Sequence, residues 1–331
     1  MTDAPLPLVS VGIPVYNAAN TLERSVRSIL DQTYQNIEVV FFDNGSTDTT
    51  EQVCRRLARA DTRIRYMRSP SNQGTSFSFS QAFLNTTGEY FMWSAADDLR
   101  DPNDVASGVR LLEDNPSIIA SVPVALVYIE DEDEPIYSVE VTGIDIGDRG
   151  VKRLHTMFTN FPTTALYSLF RSSSLRSSGL LRSSVASDVA LLQVLAANGE
   201  FRSNPDQVLR FIRRKDWNTR DQDFKVFTGR DYLPRVYVPG LVLLRERLDR
   251  YWSMDKNFGW RMFATILLIG LETRRAAFKI SLRQVHRLIG KTNYCTLVEW
   301  GYWRFFHKEN YLVFDKKRYI ERMILPQYGV R

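Results

Sequence analysis

The first hundred residues alternate between short apolar runs and stretches whose apolar positions recur at helical spacing. Val9-Ser10-Val11-Gly12-Ile13, closed by Pro14, predicts a buried strand. Leu22, Val26, Ile29 and Leu30 follow at helical spacing, behind Asn20 and Thr21, either of which can cap the helix. Ile37 to Phe42 predicts a second strand, and Thr47 to Ala60 a second helix with Val53 and Leu57 inward. Ile64 to Met67, Thr75 to Asn85 and Tyr90 to Trp93 predict a strand, a helix and a strand. Alternation of this kind implies an α/β fold, a mostly parallel sheet with helices on both faces. Right-handed crossovers bring the carboxyl ends of the strands to one edge, where ligands of such sheets bind.

Beyond residue 100 the rhythm changes. Asp104 to Asn115 reads as a helix and Ile118 to Ile129 as strand-rich. Glu130 to Pro135 is an acidic turn, most simply solvated. Val185 to Asn198, closed by Gly199, predicts a helix, and Val208 to Ile212 a late strand. Helices are expected over Leu241–Trp252, Trp260–Arg274 and Ile280–Ile289, followed by forty aromatic-rich residues.

Charge changes this picture at the C-terminal end. Residues 241–331 hold 18 Lys and Arg against 8 Asp and Glu, a net of +10, while the whole chain is +5, so residues 1–240 carry −5. A basic tail on an acidic body suggests an anionic partner: membrane headgroups, polyphosphate or nucleic acid. A solvated helix surface is the plainer alternative. The two cysteines, Cys54 and Cys295, lack metal-ligand spacing and exclude a disulfide framework, which suits a reducing compartment. The N-terminus does not read as a signal peptide, and the longest apolar run, Phe263 to Leu271, is about half of the roughly 20 residues a membrane span needs. His155, His286 and His307 show no metal spacing, and no phosphate-loop glycine motif is present.

The candidate chemistry sits at predicted strand ends. Asp43-Asn44-Gly45-Ser46-Thr47-Asp48 follows the second strand and Ser94-Ala95-Ala96-Asp97-Asp98 the fourth. Carboxylates placed this way suit a nucleoside diphosphate held through a hard divalent cation. Mg2+ or Mn2+ takes only one or two carboxylates there, with phosphates and water completing its shell. Asp97 and Asp98 diverge at a strand end, so one can reach the cation and the other the ribose. Asp43 can accept from a base N–H, and Tyr16 can stack on the base. Asp48 reads as a helix cap.

Five motifs recur in order: Val11-Gly12-Ile13-Pro14-Val15-Tyr16-Asn17, Ser28-Ile29-Leu30-Asp31-Gln32-Thr33-Tyr34, Asp43 to Asp48, Asn72-Gln73-Gly74 and Thr87-Gly88-Glu89-Tyr90. In these the chain resembles the family 2 glycosyltransferases, inverting enzymes of the A-type glycosyltransferase fold, most strongly over residues 8–102. The resemblance implies a catalytic domain over 1–225, with a nucleotide half (1–102) and an acceptor half (103–225), followed by a helical, basic extension over 226–331. Pro14, Val15, Tyr16, Asn17, Asn72, Gly74 and Asp97 are then expected to line the nucleotide pocket, and Asp43 to read the base. Asp98, with Asp97, stands at the metal-binding motif. Asp188, in Ser187-Asp188-Val189-Ala190-Leu191-Leu192, stands at the place of the general base that deprotonates an acceptor hydroxyl. An N-cap is the alternative for Asp188, worth roughly 1 kcal/mol.

The resemblance further implies a nucleoside diphosphate sugar donor, with uridine favoured, and a glycan or lipid-linked acceptor in polysaccharide or cell-envelope synthesis. It implies no nucleic acid partner, and a cytoplasmic protein touching the inner face of an anionic membrane through its C-terminal region. Three departures stand out. Ala95 and Asn44 replace aspartates common in the family, and Phe79 stands where many members place an arginine. Arg213, Arg214 and Lys215 are candidates for replacing its phosphate contacts; an exposed basic turn is the other reading. These departures keep an alternative open: a non-catalytic nucleotide-sugar-binding subunit of an assembly system.

Overall fold

The computed structural model describes residues 5–140, 163–181, 187–213, 239–253, 258–259, 261–262, 264–270, 273 and 311–313. The strands are β1 (Val9–Val15), β2 (Ile37–Asp43), β3 (Ile64–Arg68), β4 (Tyr90–Trp93), β5 (Leu99–Arg100), β6 (Ile118–Ile129), β7 (Tyr137–Val139), β8 (Leu169–Arg171), β9 (Glu200–Arg213) and β10 (Tyr311–Val313). The helices named below are α1 (Leu22–Leu30), α2 (Thr50–Ala60), α3 (Thr75–Leu84), α4 (Asp104–Asp114), α5 (Ser172–Ser177), α6 (Ser187–Asn198) and α7 (Pro239–Ser253). A 3-10 helix spans Thr163–Tyr167.

One mixed sheet runs in the order β10-β7-β6-β8-β4-β1-β2-β3, with β9 beside β6 and β5 beside β9. Its nucleotide half, β4-β1-β2-β3, is wholly parallel. Strand β8 pairs antiparallel with both β4 and β6 and joins the two halves. The strand order reverses at β1, since β2 and β3 lie on one side of it and β4 on the other. The carboxyl edge at β1 and β4 is thus the switch point of the sheet, a natural crevice.

Side-chain alternation explains the layers. Val9, Val11, Ile13 and Val15 of β1, with Tyr90 and Met92 of β4, pack under α1, α2 and α4. Phe91 and Trp93 face the other way, onto Phe79 and Phe83 of α3 and onto Leu191, Leu192 and Leu195 of α6. Each such large side chain contributes roughly 1.5–3 kcal/mol by leaving water.

Most predicted elements stand where the pattern put them, and four differ for physical reasons. Strand β1 continues through Pro14 to Val15, because β4 pairs only as far as Gly12. Past that point nothing on the β4 side needs the N–H that proline lacks. Helix α2 starts at Thr50, since the Thr47 amide goes to the Asn17 side chain and Asp48 Oδ1 takes the Thr50 amide at 2.9 Å. Strand β9 starts at Glu200, eight residues before the expected point: an irregularity at Asn204 to Val208 interrupts its pairing with β6 and hides the strand's first half. Residues 311–313, inside the segment expected to be helical, form β10 against β7. The predicted Ile280–Ile289 helix, the three histidines, Cys295, Arg214 and Lys215 lie outside the described residues.

Candidate active site

Three loops at the carboxyl edge build the site. After β1, Pro14 and Val15 lead to Tyr16, whose side chain is 44% exposed, and to Asn17, which takes a positive φ of 51°. The Asn17 amide donates to Ser46 Oγ (3.0 Å) and its Oδ1 accepts from the Thr47 amide (2.8 Å). The first two loops are therefore laced together, and Asn17 serves as their tie.

Asp43, the last residue of β2, is fully buried. Its Oδ1 accepts from the Ser46 amide (2.8 Å), and its Oδ2 from the Tyr66 hydroxyl (2.8 Å) and the Arg68 guanidinium (2.6 Å). The parallel register sets Arg68 directly beside Asp43. The second Arg68 nitrogen donates to Ser46 O, which fixes the turn. Burial, together with the Asp43 charge, raises the Tyr66 phenol above its ordinary range. Gly45 sits at φ +74°, and a Cβ there would come within 2.7 Å of the Ser71 backbone. Only glycine fits so close a crossing.

Asn44 explains one departure from the family pattern. Its amide nitrogen donates to Asn72 Oδ1 and Gly74 O (both 3.0 Å), and its Oδ1 accepts from the Gln73 amide (3.0 Å). Asn72 Oδ1 also takes the Gly74 amide. An ionised aspartate could not donate these bonds. The Asn72–Gly74 loop and the β2 end therefore form one unit. Phe79, at the family's arginine position, points into the core beside Trp93, whose indole N–H donates to Phe79 O (2.8 Å).

The third loop follows β4. Asp97 is half-buried and Asp98 is 1% exposed. Asp98 Oδ1 accepts from the Ile212 amide of β9 (2.8 Å), while its buried Oδ2 has no hydrogen-bond partner among the described residues. Burial and the neighbouring Asp97 charge push the Asp98 carboxyl well above the usual carboxylate range. The loop is clamped from behind. Arg100, buried, donates to Asp104 (3.0 Å), to Trp93 O and to Tyr167 O (2.6 Å). Arg213, the next residue of β9, is the one member of the expected basic trio inside the described residues.

Asp188 lies in the first turn of α6. Its Oδ1 is buried without a hydrogen-bond partner among the described residues. Burial raises its carboxyl, opposed by the backbone amides of the turn and by Arg247. Tyr167 links the two centres. Burial and then the charges of Asp98, Asp97 and Asp188 hold its phenol far above the ordinary range. Asp43 and Asp98 follow parallel strands β2 and β4 at the carboxyl edge, and Asp188 opens α6, whose apolar side chains pack on Trp93 of β4.

Sequence reasoning missed Tyr66, Arg68, Tyr167 and Arg247. Arg68 had a readable signal, since strand ends β2 and β3 align. Tyr167 and Arg247 had none, because only long-range packing brings them here. Among the described residues, no three or more His, Cys, Asp or Glu side chains are grouped to hold a metal ion. A cation shared with a diphosphate needs only one or two carboxylates, and the orphaned Oδ2 of Asp98 fits that need.

Comparison with known proteins places the chain among glycosyltransferase-like sequences and folds. Residues 10–171 match the family described as Glycosyl transferase family 2. An uncharacterized glycosyltransferase of Rickettsia bellii is 41% identical over 106 residues, 32% of this chain and 15% of that protein. Glycosyltransferase GlyG of Streptococcus pneumoniae is 30% identical over 138 residues, 42% of this chain and 45% of its own. The chain therefore spans less than half the length of either relative. Among solved structures, S. aureus TarS 1-349 in complex with UDP-GlcNAc superposes with a TM-score of 0.58 at 12% identity, covering 89% of this chain and 80% of that one. At that identity the likeness speaks to the fold.

Proposed function

Residues 10–171 form a glycosyl transferase family 2 domain, and from that premise we propose that the protein is an inverting glycosyltransferase using a nucleoside diphosphate sugar. One observation carries the reading: two buried carboxylate oxygens without hydrogen-bond partners among the described residues, Asp98 Oδ2 and Asp188 Oδ1, belong to side chains whose charges both bear on the same phenol, Tyr167. Burying carboxylate oxygens without partners is costly and marks a place kept for chemistry.

In this reading the donor's base lies against Tyr16 and the Asp43 loop, and its ribose against Asp97. Pro14, Val15, Asn17, Asn72 and Gly74 shape the pocket wall. Asp98, with Asp97, would hold Mn2+ or Mg2+, which when bound neutralises charge on the leaving diphosphate. Asp188 takes the proton from an acceptor hydroxyl as that oxygen attacks the anomeric carbon, opposite the leaving group, so the configuration inverts. Burial raises its carboxyl above the usual range, which strengthens it as a base. Arg213, next to Ile212 at the end of β9, is proposed to meet phosphate, as are Arg214 and Lys215 from sequence alone. Uridine is the proposed base, supported by the likeness to a fold solved with UDP-GlcNAc.

The proposed acceptor is a glycan or lipid-linked glycan. No helix among the described residues is long and apolar enough to cross a membrane. Peripheral contact is the proposed mode, supported by the +10 segment and by exposed Trp252, Phe258, Met262, Ile266 and Ile269. Retention of liposome binding after neutralising substitution of the C-terminal Lys and Arg residues would remove that part of the proposal.

The test is nucleoside diphosphate release from a panel of nucleotide sugars with Mn2+. Turnover lost in both Asp98→Ala and Asp188→Asn is expected. Tight donor binding with no turnover by the unaltered protein, even with cell-extract acceptors, would favour the non-catalytic alternative.

A further inference from the structure

Helix α7 packs directly on α6, the helix that carries Asp188 in its first turn, and both helices lie C-terminal to the matched region 10–171. Leu244 and Leu248 settle on the cluster that contains Leu191, Leu192 and Leu195 of α6. Arg247 falls on this same face, at i+3 from Leu244, and is 3% exposed. One turn on, Arg250 is 2% exposed and anchors the helix, donating to Leu180 O (2.7 Å) and Ser178 O (3.4 Å). A solvated basic helix would keep its guanidinium groups in water. Here two of them are buried against the acceptor half.

We propose that α7 completes the reaction centre from outside the family 2 region, with Arg247 as the positioning residue of Asp188. The inference rests on the reading of Asp188 as the base. Among the described residues, the groups that bear on Asp188 are the buried Arg247 of α7 and the amides of its own turn, and Asp188 in turn, together with Asp97 and Asp98, bears on Tyr167 of the 3-10 helix. Arg247 is the cation among them, and its charge favours the ionised carboxylate that accepts a proton. Catalysis in this chain then depends on a segment that composition alone marks as an appendage.

The test is the pH profile of kcat/KM in the full chain. Loss of the nearby cation disfavours ionised Asp188, so in Arg247→Gln the acid limb moves to higher pH. Activity near pH 6 falls roughly tenfold or more, and the loss shrinks to within about twofold at high pH. Arg247→Lys, which keeps the charge, retains the limb of the unaltered protein. An unmoved acid limb in Arg247→Gln, whatever the change in kcat, overturns the proposal, because a packing role alone lowers activity at every pH. Should Arg247→Gln fail to fold, the same change is made in Asp188→Asn. Folding restored there shows that the stranded carboxylate was the cause and supports the proposal; failure there as well overturns it. Undiminished turnover in Asp188→Asn alone would instead remove the base reading, a result distinct from these.

Discussion

Asp43 and Asp98 are both buried carboxylates at one edge of one sheet, yet their surroundings are opposite. Asp43 holds an amide, a phenol and a guanidinium on its two oxygens. Asp98 holds one amide, and its second oxygen meets nothing among the described residues. Asp188, on the acceptor side, repeats the Asp98 condition. A satisfied carboxylate rigidifies the loop around it, as Asp43 does for Ser46 and the β2 end. An unsatisfied one weakens the fold and persists where a ligand completes it. In the proposed function, the difference separates a preformed recognition wall from a reaction centre that its substrates finish.

The sharpest way to break this contrast is to replace each carboxylate. Asp188→Asn is expected to lower turnover by roughly 10²–10⁴-fold, measured as nucleoside diphosphate release, with circular dichroism unchanged. Asp98→Asn should lower it by a comparable factor and abolish the response to added Mn2+, since several kcal/mol of charge stabilisation would be lost. Arg68→Ala acts on the other region. It leaves buried Asp43 short of its cation and should destabilise the protein by about 2 kcal/mol in urea unfolding, while raising the donor KM more than it lowers kcat. Gly45→Ala forces a side chain onto the Ser71 backbone at positive φ. A stability loss of about 1–3 kcal/mol is expected, again with a higher donor KM.

The smallest effect is a dependence of stability on pH. Asp98 and Asp188 have folded-state carboxyls above the usual range, so the folded chain binds more protons than the unfolded one. Their burial therefore weakens the fold as pH rises through the window between the ordinary carboxylate value and the raised one. Asparagine escapes that penalty. Asp188→Asn should melt above the unaltered protein, and by a wider margin at pH 8 than at pH 5. A margin that narrows with rising pH would contradict the contrast drawn between these carboxylates and Asp43.

The nucleotide half was largely legible before the structure. Its strands alternate with helices closely enough that apolar spacing located β1 to β4, α1 and α3 within two residues at each end. The acidic clusters follow from that order, because a parallel sheet must bring its strand ends to one edge. The acceptor half was less legible, for reasons visible in particular residues. Strand β9 is broken opposite Pro123 and Val124, so local pattern revealed only its second half. Tyr167 reaches Asp98 because β8 runs antiparallel to β4, a pairing no local periodicity announces.

What the order of residues decided, then, was local: which segments extend or coil, and which carboxylates stand at strand ends, since backbone periodicity and capping act over a few residues. What only packing decided was which distant groups meet those carboxylates. Arg68 reaches Asp43 through strand register, Ile212 reaches Asp98 by continuing the antiparallel β5–β9 pairing, and Arg247 is buried against the acceptor half because the apolar face of α7 packs on α6. Partners chosen by burial of remote surfaces leave no mark in the spacing of nearby residues, and here they separate the satisfied carboxylate from the unsatisfied ones.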